Sequence, residues 1–448
     1  MLIKNAEIQG QLVDVRFNTH ITELGKGLLP DREPVFDAQG CAVLPGLHDH
    51  HIHLYASAQA AHSIDCSGMN EQILAQALMQ LPGKGWIRAV NYHEQTAGNL
   101  DRYSLDRWCT HRPLRVQHAS GKLWVLNSLA VDALKLGRED MPGIECDDKG
   151  VPNGRLWRMD SWLQTNLGGE IPNLTYLSQE LASYGITGVT DASYTNTLAT
   201  QRRLECAWRA GELLQKPWVM GDESIELAPL KIMLDEDDLP DIYTLVDRVG
   251  AAHVKRRGVA FHCVSHVELV FALAVLQQAG ADHRDRIEHA GVVRPECLLD
   301  LASTGATVVT QPGFLWSKGE RYRAQADAHD IAYLYPYASL LAVGVPVGLS
   351  SDAPYGPLDP WRVMSTAVAR RTEQGGVLVE AECVTPNEAL RGYLGAPNLP
   401  GGESRSLSMA SAADLICLDR SLDEACEDLS AVKVRSTWIA GVQVHGSG

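Results

Sequence analysis

The sequence predicts an α/β protein in which a (β/α)8 barrel of the TIM type carries a small β-sandwich domain built from both chain termini. Short apolar runs alternate with longer helical patterns through the middle of the chain, which is typical of βα units on a parallel sheet. Both ends of the chain show instead the period-two alternation of short strands. A chain of 448 residues is long enough for such a barrel with additions.

The two ends of the chain are predicted to form one domain. Strand patterns separated by turn residues such as Asn18 and Gly40 fill the first part of the chain, at 2–8, 12–17, 20–24, 34–37 and 42–44. Similar patterns return near the other end, at 414–418 and 432–445. Because two β segments at opposite ends of a chain can pair into one small sheet domain, we predict a composite sandwich of residues 1–44 and 398–448.

Residues 45–397 are predicted to form the barrel. Its first strand leads from Leu44 into a run of histidines, and further buried strands are predicted at 185–191, 230–234, 258–262, 286–289, 307–310 and 345–350. Helical patterns fall between these strands, for example at 243–256 and 267–279. In a parallel barrel the carboxyl ends of all strands reach the same face, and active sites lie there.

Residues from about 67 to 169 do not show this alternation of strand and helix patterns. They are rich in Trp, Gly, Asn and Asp, as in the run Asp147–Gly150. We interpret them as an insertion after the first barrel strand, placed to cover the barrel mouth.

Composition and charge limit the classes of molecule that the protein is expected to bind. A formal net charge of −16 argues against nucleic acid, whose phosphates require basic surfaces, and favours a small-molecule substrate. No uncharged apolar run reaches membrane-spanning length, and the N-terminus shows no basic region followed by an apolar one. Ten cysteines are scattered without a CxxC pair. We therefore expect a cytoplasmic protein that does not bind membranes.

The most informative stretch of the chain is Leu44-Pro-Gly-Leu-His-Asp-His-His-Ile-His-Leu54. On a β-strand, residues i and i+2 point to the same side, so His51 and His53 can both aim at one point. Neutral imidazoles suit a borderline metal such as zinc. The alternative is a pair of exposed or hydrogen-bonded histidines.

Further candidate ligands stand at other strand ends. Lys231 lies inside an apolar run, His262 and His289 each end a strand, and Asp352 follows the strand at 345–350. Each has a structural alternative: a hydrogen-bonded core histidine, a lysine reaching out of the sheet, or an N-cap aspartate. Six such residues at the ends of parallel strands are better explained by one shared metal site.

The motifs around these residues resemble those of the amidohydrolase superfamily, and within it the branch that includes N-substituted formamide deformylases. Pro-Gly-Leu-His-Asp-His-His-Ile-His resembles the first-strand motif, and residues 230–235 are similar to the lysine strand. Residues 286–290 and 349–354 look like the sixth and eighth strands. Residues 125–128 and 149–154 resemble insertion motifs of the branch.

The resemblance implies roles for these residues. His51, His53 and Asp352 would hold one divalent metal, most plausibly zinc, and His262 and His289 a second. A carboxylated Lys231 would bridge the two, since a carbamate supplies anionic oxygens that an ammonium lacks. The alternative is a one-metal site with an unmodified lysine. The catalytic residues would be Asp352, as proton shuttle, together with Lys231 and His289.

Residues of the substrate pocket are predicted from the insertion and from later strand ends. An apolar or aromatic substrate is expected because aromatic residues are dense at these positions, although any one such residue is more often simple packing. His266 stands near the place where the branch often has an aspartate after its fifth-strand histidine. The candidates are Tyr92, His118, Lys122, Trp124, His266, Phe314, Trp316 and Tyr355.

The predicted function is metal-dependent hydrolysis of a C–N bond, in an amide or an N-substituted formamide. A bound divalent cation would lower the pKa of water and supply hydroxide at neutral pH. A deaminase or a lactone hydrolase on the same site is the first alternative, but Glu268 lies six residues beyond His262, too far to match the glutamate of the deaminases. The second alternative is an inactive assembly protein of the same superfamily. Family analogy also implies a homodimer.

Overall fold

The computed structural model describes residues 1–61, 63–81, 85–137, 141–167 and 171–446. The chain divides into two units. The main unit consists of Met1–Leu54 and Asn173–Gly448, and the inserted unit consists of Tyr55–Pro172.

Parallel strands form the centre of the main unit. Because most of them are buried, they read in the sequence as largely apolar runs with a few polar side chains. In chain order they are β1 (Leu47–Ile52), β2 (Ile186–Asp191), β3 (Lys216–Val219), β4 (Leu230–Ile232), β5 (Val259–Cys263), β6 (Arg286–His289), β7 (Thr307–Thr310) and β8 (Val347–Leu349).

These eight strands are hydrogen-bonded as two sheets in the part of the chain that the structure describes. One sheet has the order β3-β2-β1 and the other the order β4-β5-β6-β7-β8. A parallel bridge between Gly221 and Leu230 links the β3 side to β4. The amide of Asp352 donates to the carbonyl of His51 at 2.8 Å, and the amide of His53 to the carbonyl of Ala353 at 2.9 Å, which links β8 to β1. The predicted α/β class is confirmed, and the closed barrel stays a prediction.

Helices connect the parallel strands, as the sequence pattern predicts. Among the described residues, four helices of the main unit begin with capping boxes: Thr197 with Thr200, Ser265 with Glu268, Thr385 with Glu388 and Ser421 with Glu424. The α-helices of the main unit are Thr175–Ser183, Leu198–Arg209, Ile242–Val254, His266–Ala279, Pro295–Thr304, Gly313–Gln325, Ala338–Ala342, Pro360–Ala369, Pro386–Leu394 and Leu422–Glu427. Short 3-10 helices span Ile331–Tyr333, Glu380–Glu382 and Leu429–Ala431.

Both chain ends contribute strands to two four-stranded sheets. The first sheet contains Leu2–Ile8, Gln11–Phe17, Ile21–Gly25 and Val35–Asp37, and the second contains Val43–Pro45, Leu415–Leu418, Val434–Ile439 and Val442–His445. Phe17 and Phe36 of the first sheet pack edge-on against Trp438 of the second. Both sheets therefore share one apolar core. The sandwich and its predicted boundaries stay predictions.

The inserted unit has a sheet and a core of its own. A six-stranded mixed sheet contains Ile64–Asp65, Ile87–Tyr92, Leu114–His118, Leu123–Leu126, Ile144–Cys146 and Pro152–Trp157. The helices are Leu54–Ala60, Glu71–Gln80, Glu94–Ala97, Arg102–Asp106, Ser128–Ala133 and Asp160–Asn166. The buried Leu74, Ile87 and Leu114 belong to one apolar cluster, which shows that this segment packs around itself.

Within the described ranges, every helix is too short or too polar to cross a lipid bilayer.

Candidate metal centre

A buried cluster of imidazoles and one carboxylate lies at the carboxyl ends of β1, β6 and β8. His51, His289 and Asp352 each offer a ligand atom, and these atoms lie within 4.8 Å of one another. The Asp352 Oδ1 atom is 3.4 Å from His51 Nε2, and its Oδ2 atom is 3.8 Å from His289 Nδ1. These three residues come from distant parts of the sequence, and the parallel strands bring them together.

Two more predicted ligands join this cluster directly. His53 Nε2 is 3.0 Å from Asp352 Oδ1, and His262 Nδ1 is 3.0 Å from His289 Nε2. The His51 and His53 rings are 5.4 Å apart, so the two histidines of the His-x-His motif approach the same carboxylate. The structure thus brings five of the six predicted ligands together.

The backbone bends where two of these side chains leave their strands. His289 has φ of 70° and Asp352 has φ of 51°, in the left-handed region that non-glycine residues seldom adopt. Such conformations cost free energy and persist where the surrounding structure imposes them, which is common at functional sites. Here they turn an imidazole and a carboxylate toward the centre of the cluster.

The sixth predicted ligand, Lys231, lies buried in β4. Its Nζ atom has no hydrogen-bond partner among the described residues, although only 4% of the residue is exposed. Burial lowers the pKa of Lys231, while Glu288 opposes this change. An unpaired buried ammonium is costly, whereas a carbamate on this nitrogen would supply ligand oxygens. The orphaned atom therefore fits a lysine that is modified and metal-bound.

Burial also keeps the imidazoles in the form that binds metals. It lowers the pKa of His51 to about 4 and that of His289 to about 3, and it holds the pKa of His262 well below its usual value. Burial acts to raise the pKa of Asp352, but the neighbouring His51 and His53 outweigh it and the pKa is lowered. Neutral imidazoles with an ionised carboxylate are the donor set that zinc takes.

Hydrogen bonds orient the ligand rings from behind. His51 Nδ1 lies 2.5 Å from Glu288 Oε2, and His289 Nδ1 donates to Gln311 Oε1 at 2.8 Å. In each ring the proton is then on Nδ1, which leaves the lone pair of Nε2 for a metal. Arg286 holds Glu288 in turn, with Nε donating to Oε1 at 2.7 Å.

Glu288, Gln311 and Ser193 were not predicted from the sequence. The Oγ atom of Ser193 is 2.8 Å from His53 Nδ1. Glu288 carried only a general signal, because a carboxylate in a fully buried strand needs a partner but the sequence does not indicate which one. Gln311 and Ser193 carried none, since each follows its strand as an ordinary polar loop residue.

Three of the predicted pocket residues belong to the main unit and lie on segments that follow β7 and β8. The Tyr355 ring is 5.5 Å from the His53 ring, which places it beside the cluster. Phe314 is buried, with its ring 5.7 Å from that of Tyr335. Trp316 is partly buried, and the Arg362 guanidinium lies over its ring at 5.1 Å.

His266 lies elsewhere in the main unit. It is the first residue of the helix His266–Ala279 and lines an apolar surface groove with Leu239, Val270 and Phe271. None of the six predicted ligands lines that groove. His266 lines this groove, and its role in the substrate pocket stays a prediction.

The remaining predicted pocket residues belong to the inserted unit. Tyr92 is buried and donates from Oη to the carbonyl of Gly98 at 2.6 Å. Trp124 is also buried and donates from Nε1 to Asp160 Oδ1 at 2.7 Å. His118 and Lys122 are partly buried. Within this unit, Tyr92 and Trp124 therefore have the contacts of packed core residues.

The carboxylate of Glu268 is occupied by hydrogen bonds from backbone amides. It accepts hydrogen bonds from the amides of Val264 and Ser265, and with Ser265 it closes the capping box of its helix. This use of the carboxylate explains why Glu268 is buried without a basic partner among the described residues.

A second group of potential ligands lies in the inserted unit and consists of His93, Glu94 and His118. His118 Nε2 is 3.2 Å from Glu94 Oε2. The Nδ1 atom of His118 accepts from the Ser120 amide at 3.1 Å, and that of His93 accepts from the Gln95 amide at 3.3 Å. Both rings therefore carry their proton on Nε2, so His118 donates to Glu94 and has no Nε2 lone pair for a metal.

Comparison with known proteins identifies the family of this chain. A model of the amidohydrolase family matches residues 34–445. An N-substituted formamide deformylase of Arthrobacter pascens is 29% identical over 94% of this chain and 91% of its own. The putative amidohydrolase YtcJ of Bacillus subtilis (strain 168) is 23% identical over 81% and 80%. The crystal structure of an uncharacterized metal-dependent hydrolase from Pyrococcus horikoshii superposes with a TM-score of 0.74 at 19% identity, covering 94% and 97%.

Proposed function

Because this chain belongs to the amidohydrolase family and is a hydrolase acting on carbon–nitrogen bonds, we propose that it cleaves N-substituted formamides or related amides by means of a divalent cation. The observation that carries this proposal is the buried cluster of neutral imidazoles around Asp352, with an orphaned lysine amine in a neighbouring strand. The similarity to a formamide deformylase supports the choice of substrate class.

Six residues would hold the metal. We propose that it is zinc, bound as one or two ions. They are His51, His53, Lys231, His262, His289 and Asp352. The imidazoles and the carboxylate provide donors that are already neutral or ionised as required, and carboxylation of Lys231 would give it anionic oxygens. When bound, the cation supplies Lewis acidity toward the carbonyl oxygen and lowers the pKa of water.

Asp352 is the proposed proton carrier. Its pKa is lowered, so the carboxylate is ionised at neutral pH and can accept the proton of the attacking water. It would then deliver that proton to the nitrogen of the leaving amine, which matters because an amide anion is a very poor leaving group. The short contact with His53 Nε2 fixes the position of the carboxylate for this exchange.

The fold proposed for this chemistry is a closed (β/α)8 barrel with a terminal β-sandwich. The bridge at Gly221 and the hydrogen bonds of Asp352 and His53 to the opposite strand support closure of the two parallel sheets. The apolar core shared by both terminal sheets supports the sandwich. We also propose that the insertion covers the barrel mouth and that the protein forms a homodimer.

The aromatic part of the proposed substrate would contact Phe314, Trp316 and Tyr355. The edge-on contact of the Tyr355 ring with the His53 ring supports this, because it places Tyr355 beside the proposed ligands. Deamination ranks below amide hydrolysis, since Glu268 is bound to backbone amides and is not free for acid–base work.

The test combines metal analysis with a substrate panel. Purified protein is expected to contain stoichiometric divalent metal and to release formate from N-phenethylformamide. Chelation should abolish that activity, and zinc should restore it. The panel also contains N-acetylphenethylamine, an aromatic lactone and an aminopurine. Release of ammonia from the aminopurine with no formate from the formamide, or protein that is active without metal, would contradict the proposal.

A further inference from the structure

One helix carries a cation toward the candidate metal centre. The helix Gly313–Gln325 begins two residues after Gln311, the residue that accepts from His289. Phe314, Lys318 and Tyr322 are spaced four apart along it and therefore share one face. Phe314 and Tyr322 both contact the Tyr335 ring, at 5.7 and 6.0 Å between centroids. Lys318 stands between these two aromatic residues on that face.

Among the residues that the structure describes, no carboxylate pairs with Lys318. Its Nζ atom lies 3.9 Å from the centroid of the Phe314 ring, and within the described ranges it makes no ion pair or hydrogen bond. Burial lowers the pKa of Lys318 to about 8, while the charge of Asp352 acts in the opposite direction. A partly buried ammonium without a counter-ion is unusual in a protein interior, where charged groups are normally paired.

The surroundings of Lys318 provide further groups that suit an anion. Tyr322 and Tyr335 meet through their hydroxyl groups at 3.1 Å, and one of these O–H groups is left to donate outward. Arg321, three residues after Lys318 on the same helix, is exposed and makes no ion pair in the described part of the chain. Asp352 acts electrostatically on Lys318, Tyr322 and Tyr335, so this face lies within the field of the candidate metal centre.

We propose that Lys318 binds a carboxylate of the substrate, so that the preferred substrates are N-formyl or N-acyl compounds that also carry an acid group. This inference rests on the proposed function and names the substrate class for it. The chain has a net charge of −16, which makes an unpaired cation at this position more informative than it would be in a basic protein. A carboxylate would complete the ion pair that the protein leaves open.

Three substrates test the inference because they differ only at the acid group. They are N-formylphenylalanine, its carboxamide and N-phenethylformamide, which lacks the group altogether. We expect kcat/KM for the acid to exceed that for either neutral compound by about 30-fold, the size of one charge-assisted hydrogen bond. Wild-type enzyme that prefers a neutral compound would overturn the inference.

Variants assign the preference to one side chain. In Lys318→Met, the ratio of kcat/KM for the acid to kcat/KM for the carboxamide should fall to about 1. In Lys318→Arg, part of the preference should return. Arg323→Met is the matched control, because Arg323 is 52% exposed on the same helix and faces Glu320. An unchanged ratio in Lys318→Met, or an equal fall in Arg323→Met, would overturn the inference.

A binding measurement separates this inference from the proposed function. Isothermal titration of the metal-loaded protein with 3-phenylpropionate and with 3-phenylpropanamide requires no hydrolysis. The acid should bind more tightly than the amide, and Lys318→Met should remove the difference while Arg323→Met keeps it. If no formamide is hydrolysed, the proposed function fails and this titration still decides the role of Lys318. Equal binding of the acid to wild type and Lys318→Met would refute that role.

Discussion

Two groups in this molecule each consist of two histidines and one carboxylate. They differ in burial and in which ring nitrogen carries the proton. The main unit has His51, His289 and Asp352, and the inserted unit has His93, His118 and Glu94. In each group the three potential ligand atoms lie within 4.8 Å of one another. Residue types and proximity alone therefore do not distinguish a metal centre from a hydrogen-bonded surface network.

Burial is the first difference. The side chains of the main-unit group are 1–7% exposed, whereas those of the inserted-unit group are 18–42% exposed. Burial of the first group removes water and favours neutral imidazoles, which lowers the pKa of His51 and His289. In the second group, water can satisfy the polar atoms without any cation.

The protonated ring nitrogen is the second difference. In the main unit, Glu288 and Gln311 accept from Nδ1, which leaves the lone pair of Nε2 for the proposed metal. In the inserted unit, backbone amides donate to Nδ1 of His93 and His118, which places the proton on Nε2. The hydrogen-bond partner of Nδ1 thus decides which ring nitrogen keeps a lone pair, and we expect this partner to be a better indicator of metal binding than residue type or proximity.

The largest expected effect is the loss of metal when one imidazole of the main-unit group is removed. Removal of one imidazole from the inserted-unit group is the control. His289→Ala should lose most of the bound metal and lower kcat/KM by about 1000-fold or more, because the centre loses a ligand and a hole is left in its buried shell. His118→Ala should keep the full metal content. Elemental analysis after gel filtration measures both. Equal metal loss in the two variants would show that the inserted-unit group also binds metal.

The next effect concerns Lys231. Lys231→Arg keeps a positive charge but cannot form a carbamate, so activity should fall by about 100-fold or more if the lysine is a modified ligand. Intact-mass measurement under mild conditions should show an added carboxyl group in wild type only. Lys216→Arg, at the exposed start of β3, is the control and should stay within about twofold of wild type. Full activity in Lys231→Arg would eliminate the bridging carbamate.

A smaller effect is expected from the carboxylates that accept from histidine rings. Glu288→Gln should weaken metal affinity by about 10- to 100-fold, since it removes the charged acceptor that fixes the His51 ring. Glu94→Gln makes the matching change in the other group and should leave metal affinity unchanged. Competition with a chelator of known affinity gives both values. Unchanged affinity in Glu288→Gln would mean that His51 is held by packing alone.

The sequence predicted much of this arrangement because strand geometry is local. The two-residue spacing of His51 and His53, and the positions of His262 and His289 at the ends of apolar runs, were sufficient to place them near one another. Asp352 followed from the same argument. The structure adds that His289 and Asp352 reach the cluster through left-handed backbone, which no spacing rule indicates.

Other parts could not be predicted because they depend on long-range contacts. Glu288 bonds to His51 across 237 positions of sequence, so its role is invisible locally. Strand β3 was missed because it is short, contains Pro217 and is only partly buried. Lys318 was not singled out from the sequence, because its position over the Phe314 ring depends on the fold.

The smallest expected effect concerns the stability that Glu94 provides. Burial acts to raise the pKa of Glu94, but its own backbone amide and His118 outweigh this, and the pKa is lowered. A carboxylate with a lowered pKa in the folded state stabilises the fold above its unfolded pKa, and this contribution is lost as the pH falls through the folded value. Glu94→Gln should therefore cost less than about 1 kcal/mol at pH 7, because the group is 42% exposed, and nothing at low pH.

Urea denaturation of wild type and Glu94→Gln at pH 7 and at pH 3.5 measures this difference. A gap in the free energy of unfolding that is small at pH 7 and shrinks on acidification matches a solvated hydrogen-bonded network. A gap of about 3 kcal/mol or more at pH 7 is the size expected when a buried charge loses its partner. That result would place Glu94 in the same class as the carboxylates of the main unit, and the distinction between the two groups would then rest on ring protonation alone.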